Sequence, residues 1–141
     1  LAPASTNAEH ERRIALFDLK EANSFEVAGE ARGPYLLRLA LNEGRLALDV
    51  STEQGERVTL HHVAMSSLRK LIKDYTLICD SYHNAIRTAS PSQIEGIDMG
   101  RGRLHNVAAE VLSEALGGKI KVDVETARRL FTLVCALHVR G

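Results

Sequence analysis

The stretch Asp98-Met99-Gly100-Arg101-Gly102-Arg103-Leu104-His105-Asn106 sets an acid, two guanidinium groups, an imidazole and an amide between two apolar helical stripes. A carboxylate and an imidazole can pass protons near neutral pH, and a guanidinium can grip a carboxylate or phosphate through two parallel hydrogen bonds. The apolar spacing of Ile94, Ile97, Leu104, Ala108, Val111 and Ala115, continued through this stretch, puts Arg101 where a core residue is expected. Arginines are rare in cores unless paired. On an unbroken helix Asp98, Gly102 and His105 lie within about 40° of one another, with Arg101 on the adjoining row. Asp98 and His105 are then about 10.5 Å apart along the axis, too far for a direct hydrogen bond unless the glycines bend the helix.

Two readings of these side chains stand side by side. In the first, Arg101, with Arg87 or Arg128, anchors an anionic carboxylate- or phosphate-bearing metabolite, Asn106 lies beside it, and Asp98 or His105 serves as acid or base. In the second, Arg101 is paired internally with Asp80, Asp98 or Glu95, while His105 and Asn106 hydrogen-bond loop backbone. An open concave site lined by Arg101 and His105 favours the first, and a closed, fully paired Arg101 removes its main support.

Other chemistry-bearing residues are weaker candidates. Asp80 and His83 stand at helical spacing, and with His61, His62 and the two cysteines they suggest a metal site, but no CxxC, HxxxH or HExxH pattern occurs. No metal or cofactor is therefore expected. Cys79 sits among Tyr75, Leu77 and Ile78, a setting for a buried thiol and not a nucleophile. Gly96 and Gly100, four apart, suit close helix packing, and Gly100-Gly102 lacks any Walker or dinucleotide fingerprint around it. Arg12-Arg13 and Arg128-Arg129 read most simply as solvated faces.

The elements that must position these residues follow from periodicity. Thr6-Asn7-Ala8-Glu9 reads as a capping box ahead of a helix carrying Ile14, Leu16 and Phe17 to about Asn23. A Gly-rich loop, Gly29 to Pro34, precedes three alternating strands: Leu37, Leu39, Leu41; Leu46, Leu48, Val50; Val58, Leu60. The connections Asn42-Glu43-Gly44 and Glu53-Gln54-Gly55 read as three-residue hairpin loops. Ser66 or Ser67 is expected to cap a long second helix with Leu68, Leu71, Ile72, Tyr75, Cys79, Tyr82 and Ile86 on its stripe. Ser90-Pro91-Ser92-Gln93 opens a third helix that either runs to Leu116 or breaks near Gly100 and Gly102. Ile120 and Val122 form a short edge strand, and Asp123 caps a last helix with Ala127, Leu130, Phe131, Val134 and His138 on one stripe. The fold class is α+β, one domain over residues 1–141: an N-terminal helix, a three-stranded antiparallel meander, two long helices, the short edge strand and a C-terminal helix packed on the sheet.

Composition bounds the function. The 141 residues are 45% hydrophobic, enough for a sizeable core, and 18 basic and 18 acidic residues cancel. A neutral chain has no overall field to gather phosphate backbones or anionic lipid, so general nucleic-acid and membrane-surface binding are disfavoured. The absence of Trp argues against base-stacking platforms. No apolar run is long enough to span a membrane, Leu1 to Asn7 lack the regions of a signal peptide, and Cys79 and Cys135 fit reduced core thiols. A cytoplasmic location is expected.

The runs Ile78-Cys79-Asp80-Ser81-Tyr82, Pro91-Ser92-Gln93-Ile94-Glu95, Ile97-Asp98-Met99-Gly100-Arg101, Leu104-His105-Asn106 and Thr126-Ala127-Arg128-Arg129-Leu130-Phe131 resemble an uncharacterised bacterial family, number 0262 in the UPF series. The likeness extends back through Glu9-His10-Glu11-Arg12 and Gly33-Pro34-Tyr35 and forward to Arg140-Gly141, nearly the whole chain. It implies an alphaproteobacterial protein and brings no activity, ligand or catalytic residue. The family pattern sets Arg-Arg-Gly after the Met-Gly where this chain has Arg101-Gly102-Arg103, so the second basic position is displaced here. With no nucleotide motif, nucleophile or metal spacing, the leading expectation is an accessory or binding protein without catalysis, recognising a protein partner or itself as a homodimer. The alternative is a small enzyme or ligand binder for an anionic metabolite centred on Arg101.

Overall fold

In the computed structural model, residues 6–30 and 33–140 are described, with the side chains of Thr6, Val139 and Arg140 left aside. Helix α1 covers Thr6–Glu21. The Thr6 hydroxyl expected to cap it lies outside the described side chains. Ala15 is buried and Leu19 packs against the core, while Ile14 and Phe17 turn outward, contrary to the expected stripe. α1 packs on the C-terminal helix, and the small Ala15 at the contact lets the two approach closely.

A strand that periodicity missed, β1 (Phe25–Val27), follows. It pairs antiparallel with β5 (Ile120–Val122), Val27 opposite Ile120, so the expected short strand finds its partner here and not in the meander. Three residues are too few for an alternation to register.

The meander has strands β2 (Tyr35–Asn42), β3 (Arg45–Thr52) and β4 (Arg57–Ala64) in that order. Leu37, Leu39 and Leu41 face Val50, Leu48 and Leu46, placing six apolar side chains on the face that meets the helices. The first loop has two residues, not three. Glu43 and Gly44 both take left-handed backbone (φ 51° and 79°), the mirror-image turn whose twist matches the strands it joins. The second loop has four, Glu53 to Glu56, between the ends of β3 and β4. β4 also corrects the expected pattern. His61 and Val63 lie opposite Leu48 and Leu46 on the core face, whereas Leu60 lies opposite Asp49 on the outer face. A bulge, with Val50 opposite Thr59 but Ser51 opposite Arg57, inserts one extra residue, Val58, which packs against the core.

Met65–Ser67 form a 3-10 turn, and α2 (Arg69–Thr88) starts without a side-chain cap. Ser67 instead donates to the Ala64 carbonyl. Buried Met65 and Leu68 fix the chain at this point, so packing and not a serine cap sets the helix start. Ile72, Tyr75 and Cys79 are buried along α2, but Ile86 at the far end of the expected stripe is exposed.

Helix α3 (Pro91–Leu116) runs unbroken through its glycines. The reciprocal capping box is present: Ser90 Oγ accepts from the Gln93 amide and the Gln93 side chain accepts from the Ser90 amide. Ser90→Ala is expected to lose about 1 kcal/mol, readable as a lower urea midpoint with unchanged slope. A Cβ on Gly100 would lie 3.2 Å from Ile78 Cδ1, so this glycine serves close packing of α2 on α3, whereas Gly96 and Gly102 face open space. Gly117 (φ 63°, ψ −148°) ends the helix in a conformation that is essentially glycine's alone. Helix α4 (Val124–Arg140) is capped as expected, Asp123 Oδ1 accepting the Thr126 amide at 2.8 Å.

The helices neighbour one another in the order α1, α4, α3, α2. Leu46, Leu48 and Val50 of the sheet meet Ile72, Leu112, Leu116, Phe131 and Val134 of the helices in one core. The opposite face of the sheet carries Leu36, Arg38, Leu60 and His62, all exposed. Among the described residues no helix is long and apolar enough to cross a membrane.

Candidate functional site

Arg101 sits on the side of α3 that meets α2. Its Nη2 donates to Asp98 Oδ1 at 2.6 Å, one helical turn away, and its guanidinium carbon lies 3.9 Å from the centre of the Tyr82 ring. The side chain is 23% exposed, so it flanks the core instead of entering it as the apolar spacing suggested. Burial works against its charge, but the hydrogen bond and charge of Asp98 outweigh this and hold the guanidinium above its ordinary pKa. The ion pair engages one nitrogen and the cation-π contact one face of the group. Tyr82 also packs edge-on against His83, with ring centres 5.7 Å apart.

His105 is placed quite differently. Its Nε2 lies 2.7 Å from the Arg128 carbonyl and 3.2 Å from Thr132 Oγ1, and its Nδ1 lies 3.3 Å from the Tyr75 hydroxyl. A carbonyl can only accept, so Nε2 carries the proton and Nδ1 accepts from Tyr75. The ring lies 4.7 Å from that of Tyr75 and 6.2 Å from that of Phe131. Burial foremost, helped by the charges of Arg128 and Arg101, lowers its pKa to about 4. It is therefore neutral at pH 7, and its contacts join α2, α3 and α4.

Of the remaining candidates, Arg128 and Asn106 adjoin His105 and Arg87 stands apart. Arg128 Nη1 donates to Asn106 Oδ1 at 2.6 Å on the surface between α3 and α4. Arg87 is exposed in the last turn of α2, about 7.5 Å along the axis beyond Tyr82. The six residues thus form two groups, the Asp98–Arg101 pair and the linked set His105, Arg128 and Asn106, of which His105 and Arg128 line one shallow cleft, with Arg87 apart.

A cleft of about 180 Å³ lies beside His105 and Arg128, and two larger concave features lie elsewhere. Between α1, α2 and α4 is a cleft of about 220 Å³ lined by Glu11, Tyr75, Cys79, Asp80, His83 and Cys135 among others. Both cysteines are free, and burial pushes both thiols up, so they are protonated and poorly nucleophilic at neutral pH. The spacing of Asp80, His83 and Cys79 hinted at this place, but Glu11 and Cys135 come from distant parts of the chain. Among the described residues, no group of three His, Cys, Asp or Glu is placed to hold a metal ion. The second feature is an apolar trough between α1 and β2, about 420 Å³ at one end, where Leu19, Phe25, Tyr35 and Leu130 contribute. It continues into a further 260 Å³ that shares Leu16, Leu37, Leu39 and Leu133. None of these clefts is lined by Arg101.

A model of the family described as "Uncharacterised protein family (UPF0262)" matches residues 1–140. The chain belongs to the UPF0262 family. The UPF0262 protein of Xanthobacter autotrophicus is 53% identical over 139 residues, covering 98% of this chain and 85% of that one. Its counterpart in Azorhizobium caulinodans is 54% identical over 140 residues, 98% of this chain and 86% of the relative. That of Methylobacterium radiotolerans is 53% identical over 141 residues, 100% of this chain and 88% of the relative. No solved structure matches the chain. Membership of UPF0262 agrees with the resemblance carried by runs over nearly the whole chain, and it transfers no activity to these side chains.

Proposed function

We propose that this UPF0262 protein is a cytosolic accessory protein without catalysis, which binds an extended apolar segment of a protein partner or of a second copy of itself along the edge of β2. The observation that carries this reading is the apolar trough beside an unpaired strand edge. Among the described residues β2 pairs with β3 alone. The two-residue turn makes Asn42 and Arg45 a hydrogen-bonded pair, and alternation then aims the amides and carbonyls of Leu37, Leu39 and Leu41 away from β3. Natural edges are usually blunted by charge, proline or bulges, yet β2 carries one charge, Arg38, and no proline. An added strand gains main-chain hydrogen bonds from such an edge and side-chain contacts from the trough. The anion-binding alternative centred on Arg101 has less to support it, because Asp98 engages one nitrogen and Tyr82 one face of the guanidinium.

The test is sedimentation velocity over a wide concentration range, together with titration of a dye-labelled peptide of the β2 sequence, Tyr35–Asn42. Dimerisation, or saturable peptide binding, that is lost in Leu36→Lys is the expected result. Leu36 is 61% exposed on the outer face of the edge strand and also borders the trough, so the lysine puts a charge on the edge with little cost to folding. A chain that stays monomeric and binds no peptide overturns the reading.

A further inference from the structure

The cleft between α1, α2 and α4 is separate from the β2 trough and has a different character. Its floor is apolar, formed by the Tyr75 ring, Cys79, Cys135 and Ala136. Among the described residues its ionisable lining beyond these is Glu11, Asp80 and His83, with no lysine or arginine. Arg12, next to Glu11, is drawn to Glu9 at 2.6 Å, and Arg101 is held by Asp98. Among the described residues neither carboxylate of the cleft is paired with a lysine or arginine.

His83 sharpens this asymmetry. Its Nε2 is buried, lies 3.5 Å from Glu11 Oε1 without hydrogen-bond geometry, and has no hydrogen-bond partner among the described residues. A buried ring nitrogen left without a partner calls for an explanation. A group with several N–H donors placed beside Glu11 would satisfy both the carboxylate and the unpartnered ring nitrogen. We propose that this cleft binds a small primary amine, its ammonium group against Glu11 and the unpartnered His83 nitrogen and its apolar body against Cys79, Cys135 and Ala136. A volume of about 220 Å³ admits a molecule of on the order of ten heavy atoms. An apolar pocket with a few convergent polar groups is the usual build of a small-molecule site. The Arg101–Tyr82 contact bears on this site indirectly, since Tyr82 packs against His83 and helps hold its ring.

The test titrates the full chain with three probes of one shape, phenethylamine, 2-phenylethanol and phenylacetate, by isothermal calorimetry. Saturable one-site binding of the amine, at least tenfold tighter than the alcohol and with no binding of the acid, is expected. Glu11→Gln, folded by circular dichroism, should weaken the amine about ten- to a hundredfold, the loss of a charge-assisted hydrogen bond. Thr76→Phe fills the cleft from a partly exposed position on α2 and should abolish amine binding while leaving the melting temperature close to wild type. Equal binding of amine and alcohol, binding of phenylacetate, no binding of any probe, or unchanged amine affinity in both variants overturns the proposal. None of these outcomes depends on the β2 edge.

Discussion

Between pH 6.5 and pH 4 the protein is expected to lose about 2 to 3 kcal/mol of stability through His105, a loss that His105→Gln largely abolishes. The folded-state pKa of this imidazole, about 4, lies below its ordinary 6.5, chiefly because burial disfavours the charged ring. Between those values the unfolded chain binds the proton and the folded chain does not, so acid favours unfolding. The contribution is fully present above about pH 6.5, falls as the pH drops, and is gone by about pH 4. A glutamine at this position can still donate to the Arg128 carbonyl from a similar reach, but it does not titrate. Urea midpoints of the two proteins measured across this range should therefore diverge at neutral pH and converge toward pH 4. Parallel curves would mean that the ring is not buried neutral. The expectation that His105 acts as a proton donor near neutrality conflicts with the same contacts, since its one proton is engaged by the backbone of α4.

The sequence disclosed most where a local rule suffices. Ser90-Pro91-Gln93 marks the start of α3, Asp123 that of α4, and Gly117 the end of α3, because capping is decided within four residues. The meander was legible in Leu37 to Val50, where alternation is clean, and failed at Val58 and Leu60, where a bulge shifts the register by one residue. β1 was hidden because its stability comes from β5, nearly a hundred residues away, and not from its own pattern. Asp98 and Arg101, three apart on one helix, were a visible pair. Tyr82 above the guanidinium was not, because it depends on how α2 lies on α3. The α1, α2 and α4 cleft was legible only in its Asp80 to His83 portion, since spacing along one helix says nothing of the helices brought beside it.

Phe131→Ala is expected to lower stability by about 3–5 kcal/mol, a large share of what a domain of ordinary stability possesses. Arg101→Ala should cost only about 1–2 kcal/mol, because the partly exposed guanidinium exchanges its contacts for water. The contrast tests where the polar patch gets its order. Phe131 is fully buried on α4, its ring edge-on to Tyr75 of α2 at 5.6 Å and 6.2 Å from His105 of α3. Three helices meet at that ring, so its removal leaves a cavity that none of them can fill alone. Water entering such a cavity would also restore some hydration to His105, so the acid-linked loss should shrink in Phe131→Ala relative to wild type. Urea unfolding at neutral pH and near pH 4 measures both effects at once. A small loss at neutral pH with undiminished acid sensitivity would show that Tyr75 and His105 keep their positions without the phenylalanine. A large loss with flattened acid sensitivity would show that the imidazole singled out by its sequence neighbours is governed by an aromatic ring from another helix.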